Sequence, residues 1–283
     1  MPSPNLYADV SAFRGLFINN QALDATDQDA VLRALEAGSR RVDHMTHRNF
    51  FAETATRVLD GNGLSWMWLP DLLAATTIKL DEDANRTFEL TLAAATDYYL
   101  KRRSYRDEDA LPKTALELDQ NGQRTSFLKQ KRLVQIVGRW GFTETTEVVD
   151  SIATGPGQSS SSSTLGVFDG TLFAIGQTVL VEAEQEYIRA ISGNNLTVFR
   201  AVNGTTAAAH AGGVLVNRFV YPPEIIQATL ILAGRLIKRR ESGYANVSDN
   251  LVSGLSNRFF SNDPDVDGRS GLLVEHIRGD TMI

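Results

Sequence analysis

Pro222-Pro223-Glu224-Ile225-Ile226-Gln227-Ala228-Thr229-Leu230-Ile231-Leu232-Ala233-Gly234-Arg235-Leu236-Ile237-Lys238-Arg239-Arg240 is a helix written with its own start and stop signals. Two prolines open it, where a missing N–H costs nothing and a fixed φ is already helical. Glu224 lies in the first turn, Lys238-Arg239-Arg240 in the last, and Gly243 follows, so the charges oppose the helix dipole at both ends. At about 100° per residue, Ile225, Ile226, Leu230, Leu232, Leu236 and Ile237 spread over about 160° of the circumference. A stripe that wide predicts burial on more than one side. Ile231 falls on the opposite side with Arg235 and Lys238, which marks these three as candidate contacts with another subunit.

Upstream, a second helix is predicted over Asp27–His47. Thr26 serves as its N-cap, Asp27 and Asp29 sit in its first turn, and Val31, Leu35, Gly38, Val42 and Met45 draw one apolar stripe. A shorter helix is predicted over Val10–Ile18. Between these helices and the closing one the texture is β. Thr54–Leu59, Trp66–Leu69, Thr76–Leu80, Phe88–Leu92, Tyr98–Lys101, Ala115–Leu118 and Leu133–Val137 are short strand-type runs, parted by turn signals such as Asp60-Gly61-Asn62-Gly63 and Leu69-Pro70-Asp71. No helix-length crossover separates them, which predicts hairpins packed on the helix rather than a parallel sheet. Gly155-Pro156-Gly157-Gln158 with Ser159–Ser163 has the composition of a flexible linker. Thr164–Asn217 then reads as an independent small β-unit, with a hairpin at Ser192-Gly193-Asn194-Asn195. The tail is rich in turn formers but keeps apolar islands at Phe259-Phe260, Leu272-Leu273-Val274 and Met282-Ile283, which predicts docking on another chain.

The 283 residues are 42% hydrophobic and 22% charged, which is globular composition. No cysteine is present, so disulfides, thiolate metal sites and a cysteine nucleophile are excluded, in keeping with a reducing cytoplasm. No leader segment or bilayer span is visible, and a soluble protein without membrane contact is expected. A formal charge of −6 argues against a protein built to grip nucleic acid. Charge is uneven, however: from Gln120 to Phe142 there are Arg124, Lys129, Lys131, Arg132 and Arg139 and no acidic residue. Arg124, Lys129, Lys131 and Arg132 are candidates for contact with DNA or an acidic partner, against the plainer reading of a solvated loop and strand.

Signals for catalysis are weak. His44 and His47 lack a third metal ligand and fit the helix C-terminus better. Gly155-Pro156-Gly157 lacks the Gly-Lys-Ser/Thr ending of a phosphate loop. Asp81, Glu82 and Asp83 read as solvated turn carboxylates. No catalytic, cofactor-binding or metal residue is assigned, no cofactor is expected, and the chain does not read as an enzyme.

Certain stretches, in their order, are similar to the small head-to-tail connector (adaptor) proteins of tailed phages. They are Arg40-Arg41-Val42-Asp43-His44-Met45-Thr46-His47-Arg48-Asn49-Phe50, with its helix end followed by Arg-x-Phe, then Arg57–Gly63, Trp68–Leu73, Asp97-Tyr98-Tyr99-Leu100, Val137-Gly138-Arg139-Trp140-Gly141-Phe142, and the closing helix from Pro222 to Arg240. The likeness covers about half to two-thirds of the chain and rests on order and spacing rather than on one diagnostic motif. It departs from the family between Phe142 and Pro222. There Val198–Gly213, with Arg200-x-x-Asn203-Gly204-Thr205 and Ala208-x-His210-x-x-Gly213, resembles a β-module of phage structural proteins, in which His210 reads as a turn residue rather than a ligand.

The resulting expectation is an α+β fold: a helical connector core with β-hairpins (1–150), a linker and inserted all-β sandwich or barrel domain (151–217), the closing helix (218–245) and an extended C-terminal arm (246–283). The resemblance implies a structural virion protein, made in the host cytoplasm and placed in the neck. It would form a homo-oligomeric ring of about a dozen copies, a dodecamer, between portal and tail. Its partners would be the portal protein and a stopper or tail-completion protein, with DNA passing through the lumen without sequence-specific binding. Ile231, Arg235, Lys238, Phe259, Phe260, Leu272 and Leu273 are the expected interface residues. Two rivals stand beside this reading. One is a head-tail stopper or tail-completion protein of the same neck. The other is a virion adhesion or carbohydrate-binding protein, for which Trp66, Trp68 and Trp140 would have to form a sugar platform.

Overall fold

A computed structural model of the chain describes residues 5–102, 111–241, 247–250, 255–258 and 271–277. Among them are three α-helices, two antiparallel six-stranded sheets and one two-stranded sheet, a mixed fold in which strand outweighs helix. No helix among the described residues is long and apolar enough to cross a membrane. The chain divides into two units, Met1–Arg48 with Thr145–Val202 and Thr206–Ile283, and Asn49–Glu144 with Asn203–Thr205.

In the first unit, helix α1 (Val10–Phe17) starts at Asp9, whose carboxylate accepts the Ala12 N–H at 2.8 Å. Helix α2 spans Ala25–Thr46, and its cap is Asp24, not Thr26; Asp24 Oδ1 accepts the Asp27 N–H at 2.7 Å. An aspartate caps as well as a threonine and adds a charge that the dipole favours. His47 ends the helix with φ 56°, the left-handed stop that a helix C-terminus needs. Helix α3 (Pro223–Glu241) packs along α2. The contact is closest at Gly38, where an added Cβ would lie 2.9 Å from the Thr229 carbonyl oxygen. So close an approach admits only small side chains, and the face of α3 that disappears is Ile225, Ala228, Thr229, Leu230 and Ala233. The wide stripe of large aliphatics is therefore only partly buried, and Leu236 remains 38% exposed. The helices share a core of Leu6, Val10, Phe13, Val31, Leu35, Leu230 and Ala233 with Tyr187 and Val202, two residues of the predicted insert.

The same unit holds the second sheet: β7 (Thr146–Ser151), β8 (Thr164–Gly166), β9 (Thr178–Val181), β10 (Glu184–Ser192), β11 (Asn195–Phe199) and β12 (Leu215–Phe219), in the order β7-β12-β9-β10-β11-β8. Its edges meet through an Ile152–Val167 bridge, which closes it into a small barrel around Ile152, Leu165, Val167, Val179, Val181, Ile188, Leu196, Val198 and Val216. Closure removes the exposed edges that an open sheet leaves. The barrel differs from a free-standing insert in two respects. It takes β7 from before the Gly/Ser stretch, and it is tied to the N-terminal residues by Gln177 Nε2 donating to Asp9 Oδ2 at 2.7 Å and Val10 N–H to the Ile175 carbonyl at 3.2 Å.

The second unit is a sheet of β1 (Glu53–Leu59), β2 (Trp66–Leu80), β3 (Leu90–Leu92), β4 (Tyr98–Lys101), β5 (Lys113–Leu118) and β6 (Val134–Trp140), ordered β1-β6-β2-β5-β4 with β3 also on β2. Its core of Leu69, Leu72, Ile78, Leu116, Leu118, Val134, Ile136 and Trp140 contains no helical residue: within it the hairpins pack on one another, where packing on a helix was expected. Leu69-Pro70-Asp71 is no turn. It lies inside β2, where the register against β5 jumps between Trp68 and Leu72, and a bulge is one of the few places within a strand where proline's missing donor is tolerated.

Near the C-terminal end, β13 (Val247–Asn250) and β14 (Leu255–Arg258) pair antiparallel, and Val274–His276 makes one 3-10 turn.

Candidate functional site

Among the described residues, the densest polar network is inside the barrel. Strand alternation puts Glu184 and Glu186 on the face of β10 that carries Ile188, which looks into the barrel core. Both carboxylates are buried, together with His210 and Gln158. Arg200 grips Glu184 as a fork, Nε to Oε1 at 2.7 Å and Nη2 to Oε2 at 2.6 Å, and its Nε also lies 2.9 Å from Glu186 Oε1. Its remaining donors go to the carbonyls of Ser159 and Ser162 (both 2.8 Å) and Ala208 (2.6 Å). His210 sits between carboxylates, Nδ1 at 2.7 Å from Glu182 and Nε2 at 3.0 Å from Glu184.

Burial on its own would raise the Glu184 carboxyl, but hydrogen bonds from Arg200, the Ala208 N–H, His210 and the Ala201 N–H outweigh it and hold the group down at about 2. Burial pushes Glu186 upward, against weaker opposing pulls from Gln158 and Arg200. Glu184, Glu186 and His210 bring ligand-type atoms within 4.8 Å of one another, but the guanidinium already stands where a cation would. The network is a fastening device. Through it, the Arg-x-x-Asn-Gly-Thr and Ala-x-His stretches are anchored to one strand, and His210 is a core member rather than a turn residue.

The same network explains why the Gly/Ser stretch is not a free linker. Gln158 and His210 exchange backbone hydrogen bonds of 2.8 Å in both directions, and Gln158 Nε2 donates to Glu186. Gly157 (φ 74°) passes so close that a Cβ would fall 2.1 Å from the His210 carbonyl oxygen, a position only glycine can fill. A sequence signal for this site did exist: Glu184-Gln185-Glu186 places two acids at period two within an apolar strand run.

A second polar cluster pins the N-terminal segment. The Tyr7 hydroxyl donates to Asp43 Oδ1, Arg40 Nε lies 3.1 Å from Asp43 Oδ2, and Arg40 also donates to the Asn5 carbonyl at 2.8 Å. Burial raises the Asp43 carboxyl to about 6, although Arg40 and Tyr7 pull it down. The folded chain thus holds a proton here more tightly than the unfolded chain, whose ordinary value is 3.8. Stability from Asp43 is therefore expected to rise as pH falls from about 6 to about 4. Glu184 has the opposite sign and a lower window: its contribution is complete above 4.5 and is lost as pH falls toward about 2. As pH falls from about 6 to about 4, the denaturant midpoint of the parent should rise relative to that of Asp43→Asn; a difference independent of pH would remove Asp43 as the cause.

The expected interface residues are dispersed. On α3, Ile231 and Arg235 are half-buried and Lys238 is exposed. At the free end of the α2–α3 pair lies a groove of about 630 Å³, floored by Ala25, Ala30, Ala34, Leu236 and Ile237 and rimmed by Asp29, Arg33 and Arg240. Leu272 is half-buried, and Leu273 is fully buried in its own chain. The turn after it is held by Arg48 Nε donating to the His276 carbonyl at 2.8 Å and by His276 Nε2 at 3.8 Å from Glu224. Leu273 is therefore core, which corrects its reading as a docking residue; Phe259 and Phe260 lie outside the described residues.

In the second unit, Arg124 is ion-paired with Glu82, while Lys129, Lys131 and Arg132 are exposed, Arg132 with its backbone N–H on Asp60 Oδ1 at 2.9 Å. The three tryptophans do not form one platform. Trp140 is buried, while Trp66 and Trp68 meet edge to face at 5.4 Å.

Neither a protein-family model nor a curated protein sequence matches this chain.

Proposed function

We propose that the chain is a structural, non-enzymatic subunit of a tailed-phage neck, the ring-forming head-to-tail adaptor between portal and tail, through which DNA passes. The observation that carries this reading is the α2–α3 groove, where Leu236 and Ile237 stay accessible on the helix that resembles the family's closing helix. Two antiparallel helices with an apolar floor and a rim of both charge signs suit a heterologous contact with the next copy, the kind of interface that closes a ring. The connector core is then the α1–α3 group, and Lys129, Lys131 and Arg132 offer cations to DNA or an acidic partner. Net acidity elsewhere keeps DNA from sticking in the conduit.

Light scattering and negative-stain microscopy of the purified chain, alone and with portal protein, test this directly. Rings of about a dozen copies are expected, alone or on the portal. Leu236→Glu and Ile231→Glu should reduce them to smaller species while circular dichroism of the subunit stays near that of the parent. A chain that remains monomeric with portal present would overturn the proposal, and so would rings that survive both substitutions.

A further inference from the structure

The loop between β2 and β3 reads Asp81-Glu82-Asp83-Ala84-Asn85-Arg86-Thr87-Phe88-Glu89, with oxygen-bearing side chains at every second position. We propose that it is a calcium-binding loop, in which Asp81, Asp83 and Glu89 supply carboxylate oxygens to one Ca²⁺.

The placement of Asp81 points there first. It is 2% exposed, its Oδ2 accepts the Arg86 N–H at 2.7 Å, and its Oδ1 has no hydrogen-bond partner. A buried carboxylate oxygen left bare is costly, and a hard cation satisfies it as no neutral donor does. Strand register supplies the other ligands. Leu80 pairs with Leu90, so Asp81 and Glu89 face each other one step beyond the ladder, where like charges repel unless something positive lies between them. Asp81, Asp83 and Glu89 bring oxygens within 4.8 Å of one another. The fourth acid of the loop, Glu82, is engaged with Arg124 and leaves the cluster to these three.

The spacing matches the first nine positions of a calcium loop of the helix-loop-helix type, with ligands at positions 1, 3, 5, 7 and 9 and a left-handed residue at position 6. Arg86 is at that sixth position with φ 74°. Asn85 and the Thr87 carbonyl fall at positions 5 and 7. Asn85 now ties the loop together, its Nδ2 on Asp83 Oδ2 at 2.9 Å and its Oδ1 taking the Thr87 N–H at 2.7 Å. The bidentate glutamate of position 12 is missing, because Leu92 stands there in the sheet core. With fewer charges and no bidentate ligand, binding should be in the weak range, a Kd of about 10⁻⁵ to 10⁻³ M.

Calorimetric titration of the chelator-treated full chain with CaCl2, beside MgCl2 at the same ionic strength, tests the proposal. One calcium site in that range is expected, with weaker or no magnesium binding and a rise in Tm specific to calcium. Asp83→Asn and Glu89→Gln lie on the exposed side of the loop and should keep the parent Tm in chelator while weakening calcium at least about tenfold. Absence of calcium heat and of a calcium-dependent Tm overturns the site, as does binding unchanged in the double variant. Equal response to both ions would overturn the assignment to calcium.

Discussion

Replacing Arg200 by Met is expected to lower the stability of the barrel-containing unit by about 3–5 kcal/mol, the range seen when one member of a buried ion network is removed. That corresponds to a fall in Tm of about 6–20 °C for a unit of this size. Arg200 donates to Glu184 through two nitrogens, lies against Glu186, and holds the carbonyls of Ser159, Ser162 and Ala208. Met fills similar volume but leaves buried carboxylates uncompensated and three carbonyls without a donor. Arg200→Lys should fall between the two, because an ammonium keeps the charge and loses the fork. Thermal unfolding followed by circular dichroism measures both. A change within about 1 kcal/mol for Arg200→Met would mean that water satisfies the carboxylates and that the network is peripheral.

Trp140→Ala should cost the second unit about 3–5 kcal/mol. The indole is fully buried in the core of that sheet, its Nε1 donates to the Ala55 carbonyl at 2.9 Å, and the Arg57 guanidinium stacks on it at 4.5 Å. Trp140→Phe separates the contributions: it keeps most of the apolar volume, strands the Ala55 carbonyl, and should cost about 1–3 kcal/mol. Urea unfolding monitored by near-ultraviolet circular dichroism reports the loss. A neutral Trp140→Ala would contradict its place at the centre of the core.

The sequence alone located the helices and most strands. Proline entry, dipole-matched charges and three-and-four spacing mark α2 and α3 because those signals are local, made within one turn of the chain. β-Runs between turn formers mark the strands for the same reason. The bulge at Pro70 escaped that reading: a proline signals a turn locally, and only the register against β5 shows the strand continuing through it. The role of Glu184 and Glu186 is set by the barrel, which buries both acids beside Arg200 and His210, sixteen and twenty-six positions from Glu184. The Gly/Ser stretch had the composition of a linker, and composition carries no information about the Gln158–His210 pairing that fixes it. Asp81, Glu82 and Asp83 read as solvated turn acids because burial of Asp81 and its missing partner are properties of the folded sheet. What sequence determined here is each element's kind, through backbone preference and periodic burial. What tertiary structure decided is which elements share a core and where charge is desolvated, because both depend on contacts between residues far apart in the chain.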